Sequence, residues 1–327
     1  MCPDLPHVSF VIPVRDDARR LRACINSIRR AQYDGPPIEI LVADNGSTDD
    51  TAAVARQAGA RVLSLPGISV AEVRNRATQE ASGSVLAFVD ADHELDPGWI
   101  RAAVESLASP AIVAAGAPYN PPADGTWVQR MYDSLRQHSS STSAIAWLGS
   151  GNLAVRRAAF VAIGGFDSTL VTCEDVDLCR RLREDGGQIL HDPRMRTIHH
   201  GDPATLRALF FGELWRGRDN LRASLRGLTW RDVPSVVIPV IDLVLIGVAA
   251  AGLVAAPLGG LWLALFACAT VSALSALRAA RMVAHMRLPT PWSAAQALTV
   301  ASVYDVARAL ALVSGVSHAR RRQPVRA

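Results

Sequence analysis

Uninterrupted runs of apolar residues alternate with polar loops and helix-like stretches through the first hundred residues of the chain. The runs cover residues 8–14, 38–43, 61–65 and 85–89. Each has the length of one strand, and a strand without polar alternation suits a parallel sheet that is covered on both faces. Apolar residues at helical spacing follow the first run, at Leu21, Cys24, Ile25 and Ile28. Four strand–helix repeats predict a parallel, doubly wound α/β sheet with right-handed crossovers.

Turn and cap residues place the helices of this alternation. Ser47 or Thr48 is the predicted N-cap of a helix that runs to residue 58, and residues 70–81 form the next helix. Pro97 begins another helix. Between residues 117 and 146 prolines and serines weaken the pattern, which predicts a loop flanking a short helix over residues 127–137.

Acidic residues follow two of the strands at the point where each leaves the sheet. Asp44 comes after the second strand, and Asp90 and Asp92 come directly after the fourth. Ligands of open α/β sheets collect at the carboxyl ends of the strands, so this acid pair is well placed to hold a cation and a phosphorylated ligand. A simple strand-ending turn is the alternative, because aspartate is a common turn residue.

A second group of acids, Glu174, Asp175 and Asp177, lies at the start of a predicted helix. Leu178 and Leu182 are spaced to pack inward from that helix. Acids in a first helical turn are favoured by the macrodipole, so capping alone accounts for them as well as chemistry does.

Five blocks of the chain, in order, resemble the family 2 glycosyltransferases, which are inverting enzymes with the nucleotide-sugar-binding GT-A fold. The blocks are residues 8–13, 44–49, 90–92, 151–167 and 174–182. Together they span about residues 8–200, and five ordered blocks are far more specific than one acid pair. The resemblance implies a GT-A catalytic domain over residues 1–201, with a mostly parallel sheet flanked by helices.

The resemblance also implies roles for individual residues. Pro13, Asp44 and Asp90 would bind the nucleotide-diphosphate sugar donor, Asp44 at the base and Asp90 near the ribose or the metal. Asp92 would bind a divalent metal, Mg²⁺ or Mn²⁺, which bridges the diphosphate and neutralises its growing charge. Asp175 matches the general base that takes the proton of the acceptor hydroxyl during inversion.

Three further positions have alternative interpretations. Arg74 either pairs with a donor phosphate or packs against the sheet. His199 follows a predicted late strand, where some family members place a histidine near the metal or diphosphate, and a surface pair with His200 is the alternative. At Asp16 the chain departs from the family pattern, in which asparagine is frequent.

Composition limits the compartment and the partners. The five cysteines lack the spacing of metal ligands, and their odd number argues against a disulfide framework. Both features indicate a reducing compartment. No basic-then-apolar leader precedes the first strand, so we expect the catalytic domain in the cytoplasm. The net charge of +4 comes from arginine alone and receives no functional assignment; we expect no nucleic-acid partner.

Residues 202–232 combine an apolar stripe with many arginines. The stripe consists of Leu206, Leu209, Phe210, Leu214, Leu221, Leu225 and Leu228. Such a basic amphipathic helix is typical of a segment that lies on anionic membrane lipids, with Trp215 and Trp230 as anchors. A helix packed on the catalytic domain is the alternative.

Residues 243–277 contain no charged residue and are too long for one membrane span. Pro257 and the glycines after it break the segment, which predicts a two-helix transmembrane hairpin within residues 233–277. The following arginines at 278, 281 and 287 indicate that the hairpin returns to the cytoplasm. A third apolar segment, residues 294–316, contains Asp305 and Arg308 and precedes a basic tail at 320–322. Spanning would export that tail, so we expect an interfacial or re-entrant helix.

The sequence therefore predicts a metal-dependent, inverting glycosyltransferase anchored in the inner membrane, with a glycan or lipid-linked acceptor, such as a precursor of exopolysaccharide. Three alternatives remain. A processive synthase would need more spans and a closer polymer-gripping motif than the loose likeness at residues 213–216. The others are a polyprenyl-phosphate monoglycosyltransferase and a catalytically silent scaffold that binds nucleotide sugar.

Overall fold

The computed structural model describes residues 5–136, 139–219, 233–284, 286 and 288–314. The chain forms two compact units. We call them the sheet unit, residues 1–123 and 136–202, and the helical unit, residues 124–135 and 203–327. The sequence analysis ended the first domain at residue 201 and included residues 124–135 in it, so the two divisions differ in that inserted segment.

The sheet unit is organised around an eight-stranded sheet within the described residues. Its strands are β1 (Val8–Val14), β2 (Glu39–Asp44), β3 (Arg61–Ser64), β4 (Val85–Val89), β6 (Ile112–Gly116), β7 (Ser143–Ala144), β8 (Asn152–Arg156) and β9 (Gln188–His191). A separate two-stranded ribbon pairs β5 (His93–Leu95) with β10 (Thr197–His199).

The strand order is β3-β2-β1-β4-β8-β6-β9-β7. Strands β1 to β4 are parallel to one another, whereas β8 runs antiparallel to both β4 and β6. The sheet is therefore mostly parallel, which confirms the predicted fold class and the first four strands. Since β2, β1 and β4 are neighbours, their carboxyl ends meet at one edge of the sheet.

Helices cover the sheet on both faces, which explains why its strands lack polar alternation. The helices of this unit are α1 (Ala18–Arg29), α2 (Thr51–Gln57), α3 (Val70–Gln79), α4 (Trp99–Ser106), α6 (Arg157–Ala162) and α7 (Glu174–Glu184). On one face Phe10 and Ile12 of β1 join the core with the predicted apolar stripe of α1. On the other face Val11 and Phe88 pack with residues of α3 and α7.

The helical unit has a small core of its own. Its helices are α5 (Trp127–Asp133), α8 (Leu206–Arg216), α9 (Val233–Val254), α10 (Leu261–Ala284) and α11 (Pro291–Ser314), with a short 3₁₀ turn at Ala256–Leu258. Val128 and Met131 of α5 are buried in a cluster with Leu209, Met282 and Val300. Helix α5 ends at Asp133, earlier than predicted, and Gln137 lies outside the described residues.

Three helices of this unit, α9, α10 and α11, are long and apolar enough to cross a membrane. Two helices occupy the predicted hairpin, the second of which continues past residue 277 to Ala284, and the 3₁₀ turn lies at the predicted break. The transmembrane placement of the hairpin stays a prediction. Helix α11 is continuous, and the charges noted within it are paired: Arg278 Nε lies 2.7 Å from Asp305 Oδ1, and Arg308 Nε lies 3.7 Å from Glu213 Oε2. These charges therefore do not bar α11 from a membrane, and its interfacial or spanning placement stays a prediction.

The predicted amphipathic helix is described only over α8, because residues 220–232, with Leu221, Leu225, Leu228 and Trp230, lie outside the described part of the chain. The basic tail at 320–322 and Arg287 lie outside it too. Within α8, Leu209 is buried and Phe211 is exposed. The predicted contact with anionic lipids therefore remains a prediction.

Candidate active site

The edge of the sheet at β1, β2 and β4 carries the predicted donor-binding residues. Asp44 ends β2, and its Oδ1 accepts hydrogen bonds from the Ser47 amide at 2.9 Å and the Ser47 hydroxyl at 2.5 Å. Pro13 lies in β1 and pairs in register with Ala43 of β2. Asp90 directly follows β4. The structure thus brings Pro13, Asp44 and Asp90 to one edge, and their contacts with a donor remain predictions.

The loop after β2 is held by Asp16, in a way that the sequence did not indicate. Asp16 adopts a left-handed backbone with φ 51°, which is uncommon for a residue other than glycine. Its Oδ1 accepts hydrogen bonds from the Thr48 amide at 2.6 Å and the Thr48 hydroxyl at 3.1 Å, and its own amide donates to Ser47 Oγ at 2.9 Å. The predicted N-cap at Ser47 or Thr48 is therefore wrong: these side chains join two loops, and α2 begins at Thr51.

A cluster of one carboxylate and two imidazoles lies next to this edge. Asp92, His93 and His199 offer potential metal-ligand atoms that all lie within 4.8 Å of one another. His199 Nε2 is 3.4 Å from Asp92 Oδ2, and His93 Nε2 is 4.0 Å from Asp92 Oδ1. We call these three residues the metal cluster.

Pairing of β5 with β10 assembles the metal cluster, because its register places His93 directly opposite His199. His93 Nδ1 lies 3.1 Å from Thr197 Oγ1, which leaves Nε2 facing Asp92. His200 points elsewhere, with Nε2 2.8 Å from Glu94 Oε1. His199 is therefore the histidine of the pair that joins the cluster, as predicted, whereas His93 was not predicted.

Two glycines let the backbone approach the acids and the imidazoles closely. A Cβ atom placed on Gly151 would lie 2.9 Å from Asp90 Oδ2 and 3.0 Å from His93 Nε2. A Cβ atom on Gly201 would collide with the Asp92 carboxylate. At both positions the backbone therefore lies so close to these side chains that a residue larger than glycine would displace them.

Burial and neighbouring charges shift the pKa values of the cluster in different directions. Burial opposes the charge of Asp92, but attraction to His199 and the hydrogen bond between them, helped by His93, hold the pKa of Asp92 well below its usual range. Burial and the nearby His199 lower the pKa of His93 to about 4. Burial also opposes a charge on His199, yet Asp92 and Asp202 raise its pKa. His93 is therefore neutral near pH 7, the form in which imidazole binds a metal.

Arg74 lies between two acids and not against open space. Its Nη2 is 2.7 Å from Asp90 Oδ1, and its Nη1 is 2.9 Å from Glu174 Oε1. The guanidinium is almost fully buried. Arg74 therefore joins the end of β4 to the start of α7, and a phosphate contact from it remains a prediction.

Asp175 lies half-buried in the first turn of α7. Its Oδ1 accepts the Val176 amide at 2.8 Å. Burial and the charge of Glu174 raise the pKa of Asp175 to about 7. The preceding residue, Cys173, has a left-handed backbone with φ 62°, a conformation that residues other than glycine rarely adopt. A carboxylate with this pKa is suited to accept a proton at neutral pH.

The segment around Tyr119 connects Asp175 with the metal cluster. The Tyr119 ring packs on His93 and His199, with centroid distances of 4.9 and 4.5 Å. Gly149 lies between Tyr119 and Asp175, since a Cβ atom there would be 3.8 Å from Tyr119 Cε1 and 3.7 Å from Asp175 Oδ2. The predicted base and the metal cluster thus belong to one contiguous site.

Comparison with known proteins decides the family. The family model "Glycosyl transferase family 2" matches residues 9–164. Glycosyltransferase AglE of Haloferax volcanii is 30% identical over 224 residues, which cover 65% of this chain and 71% of that protein. The chain belongs to glycosyltransferase family 2.

The matches to two other relatives of this glycosyltransferase cover a smaller share of each chain than the match to AglE does. An N-acetylglucosaminyl-diphospho-decaprenol L-rhamnosyltransferase of Mycobacterium tuberculosis is 28% identical over 216 residues, covering 52% of this chain and 69% of that protein. A pre-mycofactocin glycosyltransferase of the same organism is 29% identical over 213 residues, covering 60% of this chain. The chain spans only 43% of that second relative.

A solved structure confirms the GT-A fold of this glycosyltransferase. Mannosyltransferase PcManGT from Pyrobaculum calidifontis, in complex with GDP-Man and Mn²⁺, superposes with a TM-score of 0.57 at 16% identity. The match covers 96% of this chain and 88% of that one. At this identity the likeness concerns the fold alone.

Proposed function

We propose that this glycosyltransferase moves one sugar, with inversion, from a nucleotide-diphosphate donor to a glycan or lipid-linked acceptor at the cytoplasmic face of the inner membrane. The acceptor hydroxyl oxygen attacks the anomeric carbon, the bond from that carbon to the diphosphate oxygen breaks, and Asp175 takes the hydroxyl proton. Asp92, His93 and His199 would hold a divalent metal, whose positive charge would offset the charge of the departing diphosphate.

The metal cluster is the observation that carries this proposal. Asp92, His93 and His199 present one oxygen and two nitrogen donors within 4.8 Å, and two glycines let the backbone approach them closely. Mg²⁺ prefers a shell of oxygens, so two imidazoles among three donors favour a transition metal ion over Mg²⁺. The Mn²⁺ bound to PcManGT is consistent with that choice.

The neighbouring residues divide the remaining tasks. Asp44 receives the nucleotide base beside Pro13, and Asp90 lies between the metal cluster and Arg74, where it faces the ribose or the metal. Asp175 is the general base, since its raised pKa near 7 leaves the carboxylate partly deprotonated at working pH. Arg74 binds Asp90 and Glu174 at once. Because Glu174 directly precedes Asp175, this contact holds Asp90 near the start of the helix that carries the base.

A membrane acceptor fits the helical unit. Three helices of that unit have the length and composition of membrane spans. A lipid-linked acceptor is also the substrate named for the rhamnosyltransferase relative. Anionic lipids would contact the arginines of residues 202–232.

Replacing Asp92 tests the proposal at its metal. Asp92→Asn removes the charge and keeps the shape, so Mn²⁺-dependent donor binding should be lost while the protein stays folded. The matched control is Asp96→Asn: Asp96 lies just beyond the cluster and pairs with Arg196 at 3.0 Å. Calorimetric titration of the full chain in detergent measures both variants. Undiminished metal-dependent binding in Asp92→Asn would contradict the proposal.

A further inference from the structure

Asp202 lies behind the metal cluster, on the side of His199 away from Asp92. Its Oδ1 is 2.8 Å from His199 Nδ1, and its side chain is fully buried. A carboxylate only accepts hydrogen bonds, so Nδ1 carries a proton and donates a hydrogen bond to Asp202. Nε2 faces Asp92 at 3.4 Å, and once it gives up its own proton the lone pair of the imidazole is on this nitrogen.

Arg136 fixes Asp202 in turn. Its Nη1 donates to Asp202 Oδ2 at 2.8 Å, and its Nη2 donates to Oδ1, which makes a two-pronged ion pair. The guanidinium also stacks on the Tyr119 ring, 4.2 Å from the centroid. Tyr119 packs on both histidines of the metal cluster. Contacts on several sides therefore leave the His199 ring little freedom to turn.

We propose that Asp202, held by Arg136, is a positioning residue that orients His199 Nε2 toward the metal and fixes its tautomer. Carboxylates behind metal-binding histidines raise ligand basicity and restrict the ring, and their loss typically weakens metal affinity by about 10- to 100-fold. This inference rests on the proposed function, because it takes His199 as a metal ligand.

The same ion pair also has a structural task, and the test must separate the two. Asp202 is the last residue of the sheet unit, and Arg136 is its first residue after α5. Losing the pair will therefore lower stability whatever the metal does. Asp192 provides a matched control: it is equally buried and is bound by Arg194 at 2.8 Å and by Ser106 at 2.7 Å, with no histidine of the cluster.

The experiment measures Mn²⁺ binding to the full chain in detergent by calorimetry and by pulsed electron paramagnetic resonance, which detects nitrogen ligands of bound Mn²⁺. Asp202→Ala should weaken binding by about 10- to 100-fold and reduce the nitrogen signal. Asp202→Asn keeps an acceptor for Nδ1–H, so its affinity should lie between Asp202→Ala and the parent. Asp192→Ala should melt earlier yet bind Mn²⁺ as the parent does.

The outcomes distinguish this inference from the proposed function. If the parent binds Mn²⁺ with nitrogen ligands and both Asp202 variants do the same, Asp202 is structural only and the positioning role is overturned. If Asp192→Ala loses Mn²⁺ as Asp202→Ala does, the effect is general destabilisation and the inference fails. A parent without Mn²⁺ binding would overturn the inference and the proposed metal together.

Discussion

Replacing Asp175 by asparagine separates a helix-capping acid from a general base. In the structure Asp175 does accept a backbone hydrogen bond, from Val176 at 2.8 Å. Asparagine keeps an oxygen acceptor in the same place, so Asp175→Asn retains that bond. It cannot, however, take a proton from an acceptor hydroxyl. The variant therefore removes only the chemistry.

The magnitude of the kinetic effect follows from the proton transfer. A positioned acid or base contributes about 10²- to 10⁴-fold to turnover, which is about 3 to 5.5 kcal/mol at 1.36 kcal/mol per tenfold. Donor and metal binding should be unchanged, because those contacts are assigned to Asp44, Asp90 and Asp92. The loss should thus appear in kcat and hardly at all in donor affinity.

Asp175→Asn should lower turnover but should not lower stability. Burial and Glu174 raise the pKa of Asp175 from 3.8 to about 7, so the folded state disfavours the charged carboxylate. The folded protein loses stability as pH rises from about 4 to 7, and the loss then levels off. Raising a pKa by about three costs the folded state at most ~4 kcal/mol of stability once the carboxylate is charged. Because Asp175 is partly exposed, we expect a penalty of about 1–2 kcal/mol. Asp175→Asn lacks this penalty and should melt at or above the parent temperature at pH 8.

The assay combines turnover, donor titration and thermal melting of the full chain in detergent. Asp177→Asn is the matched control, because Asp177 lies in the same helical turn but is bound by Arg180 at 2.8 Å and Arg181 at 2.7 Å. That control should lose stability and keep turnover. Near-parental turnover in Asp175→Asn would refute the base assignment and return Asp175 to a capping role.

Three more predictions concern pH, packing and the core of the helical unit. Turnover should fall about tenfold per pH unit below about 7, as Asp175 becomes protonated, and a flat profile from pH 5 to 8 would contradict this. Gly201→Ala should lose Mn²⁺ affinity because its Cβ collides with Asp92, and calorimetry with unchanged affinity would show that the site is elsewhere. A chain cut after residue 231 lacks α10 and α11, which help to bury Val128 and Met131. It should aggregate in size-exclusion chromatography without detergent, and a monodisperse fragment would contradict this expectation.

The local pattern of apolar and polar residues predicted much of the fold. It failed where residues that are distant in the sequence contact each other. The strand before Asp90 was predicted from its unbroken apolar run, and the apolar stripe of α1 was predicted from its helical spacing. Ser47 was misassigned as a cap because it satisfies Asp44 and the amide of Asp16, a contact between two loops. A side chain that satisfies a distant partner cannot be distinguished from a cap by its type alone.

The candidate site shows the same limit. Asp92 and His199 were predicted, but His93 was missed because only the pairing of β5 with β10 places it opposite His199. Its position directly after Asp92 was the one available signal. Asp305 was noted as a charge within the apolar segment of α11, and Arg278 pairs with it from another helix. The sequence alone contains no local sign of such a pairing.

Metal-dependent sugar transfer is the central claim, and one measurement tests it most directly. The full chain in detergent is incubated with a panel of nucleotide-diphosphate sugars, with Mn²⁺ or with a chelator, and release of nucleoside diphosphate is followed. We expect release from one donor class, only with the metal, and none from Asp92→Asn. Release that is equally fast with the chelator, or no release from any donor while lipid-linked acceptor is present, would contradict the account.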